Sequence, residues 1–576
     1  MALLADNTEM LVNISMPTLF VSVLPLLGLA VVSHHMGLHL ESPMVVGVIR
    51  AFIQLSILGA ILTPIFDWGT QQWWIVVAYA AFMVTFASHE ASSRSKYYFK
   101  GLFVSILFSF FVNIGLVSLF SFGIVIQPTP VWNPQYVIPI VGMLLGNCIN
   151  GVALAVNSLL NSYVEQATEI EIYLAFGASP REASARLTQE AVRIGAMPMI
   201  NSMSVIGLIS IPGMMTGQIL GGSPVQEAAR YQMLIMYLIA TVTFGTILVQ
   251  SWMVRHVAFT RDCLDTNNFI KRPARVSILA QCRGVLHRIF ATTRQTSDSC
   301  QNSLLEEQSA MISDSTNGYE SVSSSWRGNP DIVPISKGAT QNISSNTTSI
   351  TLEPHLELKS LSRSFISGNP GIRRILFQDL SARLQSGDIV AVRGPSGIGK
   401  TQLLRLVAGL VPLYDDSDGK VLGQVLLQGQ AMASFHNLSH WRRQVRYVSQ
   451  YKVDIPGTPT DFMDRITRLA AWQKAPPKTL WSMTTSLIRE WGMDVCALDV
   501  EWKKLSGGEA QRVYLAIAVA SQPAVLLMDE STAALDVNSK KKVEESIGRI
   551  AAEQGMVVLW ITHDQDQVDR MGSRSV

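Results

Sequence analysis

Long apolar segments, separated by short polar ones, dominate the first 255 residues of the chain. Each is long enough to span a bilayer, because roughly 20 helical residues cross its hydrocarbon core. The pattern therefore predicts an all-α membrane domain over residues 1–255, embedded in the lipid bilayer. The seven predicted transmembrane helices lie near residues 17–35, 43–63, 72–90, 101–124, 136–158, 195–221 and 231–254.

Positive charge in the loops predicts the orientation of this domain. Arginine and lysine are concentrated at 88–100 and 163–193, and by the positive-inside rule both segments face the cytosol. The N-terminus then lies outside, and an odd number of spans delivers the remainder of the chain to the cytosol. Within the sixth span, Pro212 and Gly213 predict a break, and broken helices at membrane depth usually border a cavity or pathway.

Polar and sulfur-containing side chains in the spans are candidates for a substrate path. Arg50 and Gln54 lie one turn apart on one face of the second span, where Arg50 either lines a path or snorkels to the cytosolic boundary. Met214 and Met215 are either soft ligands for a metal in transit or gap-filling core residues. Three amide side chains are either interhelical glue or path lining: Asn147, Asn150 and Gln218.

The apolar pattern is lost between residues 256 and 351, which predicts a linker. Its first part mixes basic and apolar residues, as in a helix on an anionic leaflet or a juxtamembrane tether. Its second part, 296–349, is rich in Ser, Asn, Thr and Gln and is predicted to be disordered.

Of the 576 residues 48% are hydrophobic and 15% charged, which supports a membrane part, and the net charge of +2 does not indicate a nucleic-acid partner.

From about residue 352 strands and helices alternate, which predicts an α/β P-loop nucleotide-binding domain over 352–576. Its central motif is GPSGIGKT, between a predicted strand at 388–393 and an amphipathic helix at 402–410. The glycines permit a tight turn whose N–H groups, with the helix N-terminus, bind phosphate oxygens. Lys400 would reach the outer phosphates, and Thr401 a Mg²⁺ ion. The residues predicted to bind ATP here are Gly394, Pro395, Ser396, Gly397, Ile398, Gly399, Lys400, Thr401 and Gln402.

A second apolar strand, predicted at 524–528, ends in two adjacent carboxylates. Asp529 can hold Mg²⁺ through water, while Glu530 can polarise the water that attacks the γ-phosphate. The two motifs together predict an ATPase whose cofactors are ATP and Mg²⁺.

Between these two motifs stands LSGGEAQR, at 505–512, the signature of the ATP-binding cassette (ABC) family. The domain resembles that family, which implies that Gln450 senses Mg²⁺ and that His563 contacts the γ-phosphate. Phe365 lies where the family has an aromatic residue stacked on adenine, and a core residue of a strand fits the position equally well. The residues implied to carry hydrolysis are Lys400, Gln450, Glu530 and His563. The resemblance further implies a homodimer, because three signature residues of one copy complete the phosphate site of another: Ser506, Gly507 and Gly508.

The loop between the fifth and sixth spans differs from the other loops. At 165–186 a short helix of acidic and apolar residues ends at Gly177, and Ser179 with Glu182 indicates a new helix start. The segment resembles the coupling helix by which permeases of ABC transporters dock into their ATPase. A solvated surface helix is the alternative, and docking is favoured because the same chain carries an ATPase.

Four segments of the membrane half carry a second resemblance: RAFIQLSILGAIL, GMLLGNCINGVALAVN, FGASPREA and IPGMMTGQILGGSPVQEAARYQ. They resemble the Fet-type permeases, which include a bacterial permease assigned to iron export and plant permeases linked to aluminium tolerance and sugar-nucleotide transport. The resemblance implies an ABC transporter with permease and ATPase fused. It implies that the small transported substrate is a metal ion such as iron, moved outwards, or a UDP-sugar. A membrane-anchored ATPase that transports nothing is the alternative from another class.

Overall fold

The computed structural model describes residues 15–272, 355–366, 373–413, 423–435, 437–451, 453–473, 479–562 and 565–572. From residue 273 to 351 the predicted linker lies outside the described residues. The described residues form two compact units. The membrane unit comprises the described residues up to 154 with 195–248 and 271–272, and the cassette unit comprises 155–194, 249–270 and the described residues from 355 onward.

Helices make up most of the chain up to residue 272. They are α1 (Met16–Val21), α2 (Leu24–His35), α3 (Glu41–Gly69), α4 (Trp73–Ser93), α5 (Leu102–Phe120), α6 (Pro134–Glu165), α7 (Ala167–Ala175), α8 (Pro180–Ala183), α9 (Ala185–Val205), α10 (Gly213–Leu220) and α11 (Val225–Ala258). The short strands of this part are β1 (Tyr97–Tyr98), β2 (Phe259–Thr260), β3 (Cys263–Leu264) and β4 (Ile270–Lys271). A π-helical turn, Ser121–Ile126, extends α5.

Among the described residues, six helical segments are long and apolar enough to cross a membrane, so the predicted count of seven is wrong. The exception is the segment predicted at 195–221, where α9 ends at Val205 and α10 begins at Gly213. Gly207 adopts a φ of 83° between them, and Pro212 caps α10, so the helix cannot continue. The predicted break in this segment is confirmed. Because the count of seven is wrong, an odd number of spans no longer argues for a cytosolic cassette, and the side of the membrane on which the cassette lies stays a prediction.

The membrane unit presents many apolar side chains outward, and a glycine lets two of its helices pack closely. Leu119 and Phe111, for example, are 73% and 68% exposed, as expected of helices that face lipid. A Cβ at Gly151 of α6 would lie 2.8 Å from the Thr243 side chain of α11. Glycine therefore lets these two helices approach closely, which is how membrane helices pack.

The cassette unit contains a parallel and an antiparallel sheet. Its strands are β5 (Leu356–Ile366), β6 (Arg373–Leu384), β7 (Ile389–Val392), β8 (Gln424–Leu427), β9 (Gln430–Ala431), β10 (Val445–Val448), β11 (Val525–Asp529) and β12 (Val557–Ile561). Its helices are α12 (Lys400–Val407), α13 (Leu438–Gln444), α14 (Pro459–Arg468), α15 (Ala470–Gln473), α16 (Leu480–Glu490), α17 (Gly507–Ala520), α18 (Val537–Gln554) and α19 (Gln565–Gly572).

The parallel sheet positions the site. Its order is β10-β11-β12-β7, and every residue of β11 and β12 is buried, as in strands covered by helices on both faces. The antiparallel sheet has the order β6-β5-β8-β9. Because parallel strands end at the same edge, the segments after β7, β10 and β11 lie together. The predicted strands at 388–393 and 524–528 are confirmed as β7 and β11.

Candidate functional site

The GPSGIGKT motif forms the loop between β7 and α12. Gly394, Gly397 and Gly399 have φ values of 149°, 81° and 107°, in the region that favours glycine. Gly399 is the N-cap of α12, and a Cβ there would lie 3.0 Å from the Cβ of Leu376. The tight turn predicted from the glycines is therefore present, with a helix N-terminus directly after it.

Lys400 begins α12 and is 8% exposed. Its Nζ donates hydrogen bonds to the carbonyl oxygens of Gly394 at 2.8 Å and Pro395 at 3.1 Å. The ammonium group therefore lies against its own loop. Its charge is held where the loop and the helix N-terminus already favour an anion.

Two hydroxyl groups hold Asp529, the last residue of β11. Thr401 Oγ1 donates to Asp529 Oδ1 at 3.1 Å, and Tyr447 Oη donates to Asp529 Oδ2 at 2.8 Å. Asp529 is fully buried, and burial raises the pKa of its carboxyl group. Tyr447 was not predicted, since a tyrosine inside an apolar strand gives no sign of a partner so distant in sequence.

Glu530 and Gln450 line the same cavity as the phosphate loop, a space of about 700 Å³. Glu530 has a φ of 46°, and its N–H donates to the carbonyl oxygen of Ile561 at 3.2 Å. This left-handed residue ends the strand, so Asp529 remains buried in the sheet while Glu530 borders the cavity. The predicted residues that line the cavity are Ser396, Gly397, Gly399, Lys400, Thr401, Gln402, Gln450 and Glu530.

The signature residues lie elsewhere in the cassette unit. Ser506 is the N-cap of α17 and forms a capping box with Glu509, to which its Oγ donates at 2.7 Å. Ser506 and Gly507 are exposed, and Gly508 is half-buried. Within the described part of one chain, none of these three residues lines the cavity of the phosphate loop.

Two predicted site residues cannot be placed. His563 lies outside the described residues. The backbone of Phe365 pairs with that of Arg374 between β5 and β6, and its side chain is likewise outside the described part. Contact of either side chain with a nucleotide stays a prediction.

Within the cassette unit, the residue after α7 is inserted into an aromatic pocket. Phe176 is fully buried, and its ring centroid lies 5.1 Å from that of Phe462 and 5.7 Å from that of Tyr514. The guanidinium group of Arg446 lies 4.1 Å from the same ring, within cation–π range. Trp472 Nε1 donates to the Phe176 carbonyl oxygen at 2.8 Å. Both the ring and the backbone of Phe176 are thus held.

Charged residues flank this pocket. Arg446 donates to the Ala175 carbonyl at the end of α7, where the helix dipole favours a cation, although burial lowers the pKa of Arg446 to about 9. Glu171 of α7 pairs with Arg405 of α12, the helix that follows the phosphate loop. Gly177 has a φ of 88°, and a Cβ there would lie 2.8 Å from a carbonyl oxygen of α13. None of these contacts was predicted residue by residue.

The helix start predicted at Ser179 is confirmed. Ser179 and Glu182 form a capping box at the start of α8. Glu182 Oε1 also accepts a hydrogen bond from the backbone N–H of Ala470 at 2.8 Å. Arg465 donates to Tyr173 Oη at 2.8 Å. The segment from α7 to α8 is therefore anchored along its length, unlike a solvated surface helix.

The candidate path residues lie on three helices of the membrane unit. Asn150 Oδ1 of α6 accepts a hydrogen bond from Arg94 Nη1, at the end of α4, at 2.7 Å. Asn147 Nδ2 donates to the Met143 carbonyl of its own helix at 2.9 Å. Asn150 thus joins α6 to the end of α4, and the hydrogen bond of Asn147 stays within its own helix. The remaining candidates are Arg50 and Gln54 on α3, and Met214, Met215 and Gln218 on α10.

Two family descriptions match the chain. The uncharacterised protein family UPF0014 matches residues 16–259, and the ABC transporter description matches residues 377–533. A UPF0014 membrane protein of Synechocystis sp. is 35% identical over 239 residues, which are 40% of this chain and 90% of the relative. The chain therefore belongs to the UPF0014 family. It is an integral membrane ABC transporter with its own ATP-hydrolysing cassette.

Two Escherichia coli proteins match the two parts of this UPF0014 chain separately. The protein named "Probable iron export permease protein FetB" is 31% identical over 237 residues, which are 41% of this chain and 89% of the relative. The protein named "Probable iron export ATP-binding protein FetA" is 30% identical over 218 residues, which are 38% of this chain and 88% of the relative. The predicted fusion of a Fet-type permease to an ABC ATPase is confirmed.

Asp529→Asn should stabilise the nucleotide-free protein. Burial raises the pKa of Asp529 in the folded protein above its value in the unfolded chain. The carboxyl group therefore contributes to the stability of the folded protein at low pH, and this contribution is lost as pH rises through the folded-state pKa. At pH 7.5 we expect the variant to melt about 2–4 °C higher than wild type, with a smaller gain at pH 5. Thermal unfolding followed by fluorescence measures this. The matched control is the exposed Asp566→Asn, which should melt as wild type at both pH values, and a lower melting temperature for Asp529→Asn at pH 7.5 would contradict the expectation.

Proposed function

We propose that this transporter exports a metal ion such as iron, driven by ATP hydrolysis in its cassette. One observation carries the proposal: the permease part and the cassette part match two Escherichia coli proteins that are both named for iron export, each over most of its length. Part of the arginine-containing segment 163–193, which the positive-inside rule favours on the cytosolic side, packs within the cassette unit, so the cassette would also lie in the cytosol. The outward direction rests on the export for which both relatives are named. The path would include the candidate residues of α3 and α10, with Met214 and Met215 as soft ligands.

The phosphate site supports the chemistry that this export requires. Lys400, the loop N–H groups and the N-terminus of α12 would bind the phosphates of ATP. Thr401 and Asp529 place two oxygen atoms 3.1 Å apart, and oxygen ligands are those that Mg²⁺ prefers. Gln450 borders the same cavity, and Glu530 would accept the proton of the attacking water. Mg²⁺ would neutralise charge that develops on the transferred phosphoryl group.

A second copy of the chain would complete each ATP site. Ser506 and Gly507 are exposed, which leaves them accessible to another copy. Two copies related by a two-fold axis would then trap two nucleotides between their cassettes.

Complementation between two inactive variants tests the shared site. We expect Lys400→Met and Ser506→Arg each to lower ATP turnover on the order of 10²-fold as homodimers, because each loses a group that contacts the phosphates. A 1:1 mixture, reassembled in nanodiscs, should regain about a quarter of wild-type turnover, since mixed dimers keep one intact site of two. Mixing two separate preparations of Lys400→Met is the control. No recovery in the mixture would argue that each chain forms its site alone.

The contacts of α7 and Phe176 support coupling between hydrolysis and transport. Glu171 reaches α12 directly, and Phe176 fills a pocket formed partly by Tyr514 of α17, the helix that begins with the signature. Movement of either helix on ATP binding would therefore displace α7. Because α7 follows α6 after a single residue, the displacement would continue into a membrane helix.

A screen for ligand-stimulated ATPase activity tests the substrate. The full chain in nanodiscs would be assayed with iron(II), other divalent metals and UDP-sugars, and Glu530→Gln protein would report background hydrolysis. We expect iron(II) to raise turnover at least about twofold. Stimulation by a UDP-sugar and not by any metal would replace the proposed substrate with the sugar nucleotide.

A further inference from the structure

A tight hairpin follows α11 within the cassette unit. β2 and β3 pair so that Arg261 and Asp262 alone form the turn between them. Their φ values are 50° and 63°, as in the type I′ turns of two-residue hairpins. Arg261 is not a residue type that favours this backbone, so other contacts must hold the turn.

Arg442 of α13 makes such a contact. The side chain is fully buried, and its Nη2 donates to the Asp262 carbonyl oxygen at 2.8 Å and to the Gly409 carbonyl oxygen at 2.6 Å. The thiol of Cys263 donates to the same Gly409 carbonyl at 3.4 Å. A buried guanidinium group thus joins the turn of the hairpin to Gly409.

Gly409 ends the helix of the phosphate loop. It lies two residues beyond α12 with a φ of 68°, so the chain leaves the helix there. Lys400 stands at the first position of the same helix. Only the eight residues of α12 separate the two ends, and rigid helices carry displacements, so movement of the phosphate loop would reach Gly409 and Arg442.

The hairpin also touches the nucleotide cavity and a membrane helix. Thr260 of the hairpin lines the cavity of the phosphate loop, and so does Thr266, two residues beyond the hairpin. The ring of Tyr163, near the end of α6, lies 6.1 Å from that of Phe259 and 6.4 Å from that of Phe269. The segment from 259 to 269 therefore contacts α6, continues α11 and borders the cavity of the phosphate loop.

We propose that Arg442 is a positioning residue that couples the phosphate-loop helix to α11 through the hairpin at 259–264. β3 and α13 also pack against α7, but the hydrogen bonds of Arg442 go to Asp262 and Gly409, whereas those that hold Phe176 come from other residues. Loss of the Arg442 bonds should therefore affect the hairpin more than α7. The inference rests on the proposed function, since such coupling serves ATP-driven transport. It makes the last membrane helix a direct sensor of the nucleotide.

Hydrogen–deuterium exchange of the full chain in nanodiscs tests the proposal. In a Glu530→Gln background, Mg²⁺ and ATP should slow exchange at least about threefold in peptides that cover 255–270 and in those that cover 167–176. Arg442→Met keeps the side-chain bulk but cannot donate, and it should abolish the change at 255–270 while the change at 167–176 remains. Arg442→Lys keeps the charge and a donor, and it should restore part of the ATP-dependent change at 255–270.

A second pair of variants acts from the hairpin side, in case Arg442→Met impairs folding. Asp262→Pro cannot adopt a φ of 63° and should act as Arg442→Met, whereas Asp262→Gly adopts it without strain and should act as wild type. An ATP-dependent change at 255–270 that persists in both Arg442→Met and Asp262→Pro would overturn the inference. If ATP slowed exchange at 167–176 but not at 255–270 in the Glu530→Gln background, the inference would also be overturned. The proposed function would not be affected by that result. No change at either segment would argue against coupling by both routes, and thus against the proposed function itself.

Discussion

Replacing Glu530 by glutamine should stop ATP turnover and leave ATP binding intact. Glutamine has the same size and can occupy the same position beside the cavity, but it cannot accept a proton from the attacking water. Loss of a general base typically lowers turnover about 10²–10⁴-fold. Phosphate release from the full chain in nanodiscs measures turnover, and retention of radiolabelled ATP measures binding.

The same substitution at an exposed position provides the control for Glu530→Gln. Glu553 lies near the end of α18 and is exposed, so Glu553→Gln should turn over ATP at the wild-type rate. If Glu530→Gln hydrolysed ATP within twofold of the wild-type rate, Glu530 would not be the base, and another group would have to activate the water.

Replacing Phe176 by alanine should separate hydrolysis from transport. The ring is fully buried between Phe462 and Tyr514 and beneath Arg446, and truncation of a buried phenylalanine costs about 3–5 kcal/mol. A loss of that size at a docking contact should release α7, because about 1.4 kcal/mol already changes an equilibrium tenfold. ATP-dependent transport should fall at least about tenfold, while unstimulated ATP turnover stays within about twofold of wild type.

Two further variants make the Phe176 result specific. Phe176→Leu keeps apolar volume and should retain part of the transport. Phe82→Ala removes a phenylalanine that is 62% exposed on α4, and it should transport as wild type. Wild-type transport in Phe176→Ala would show that the pocket contributes no coupling.

The phosphate site could be predicted from the sequence because its motifs are local. GPSGIGKT lies between strand β7 and helix α12, and the acidic pair of Asp529 and Glu530 stands at the end of strand β11. Parallel strands then bring their ends together, so Thr401 and Asp529 meet although they are 128 residues apart. The capping box at Ser179 is local in the same sense.

Contacts between distant residues could not be predicted in this way. Arg446 and Ala175 are 271 residues apart, and in the sequence Arg446 is only a charged residue inside an apolar strand. Arg442 and Asp262, 180 residues apart, give no local sign of each other either.

The sixth span was predicted as one segment for a different reason. The residues between Val205 and Gly213 are mostly apolar, so the sequence shows no end of the apolar segment where α9 ends.

Transport in proteoliposomes tests the central claim most directly. The full chain would be reconstituted with ATP and Mg²⁺ supplied on the side of the cassette, and movement of radioactive iron(II) across the membrane would be followed, with Glu530→Gln in parallel. The account predicts ATP-dependent movement of iron away from the cassette side in wild type and none in Glu530→Gln. ATP turnover without ATP-dependent movement of iron, of another metal or of a UDP-sugar would contradict it.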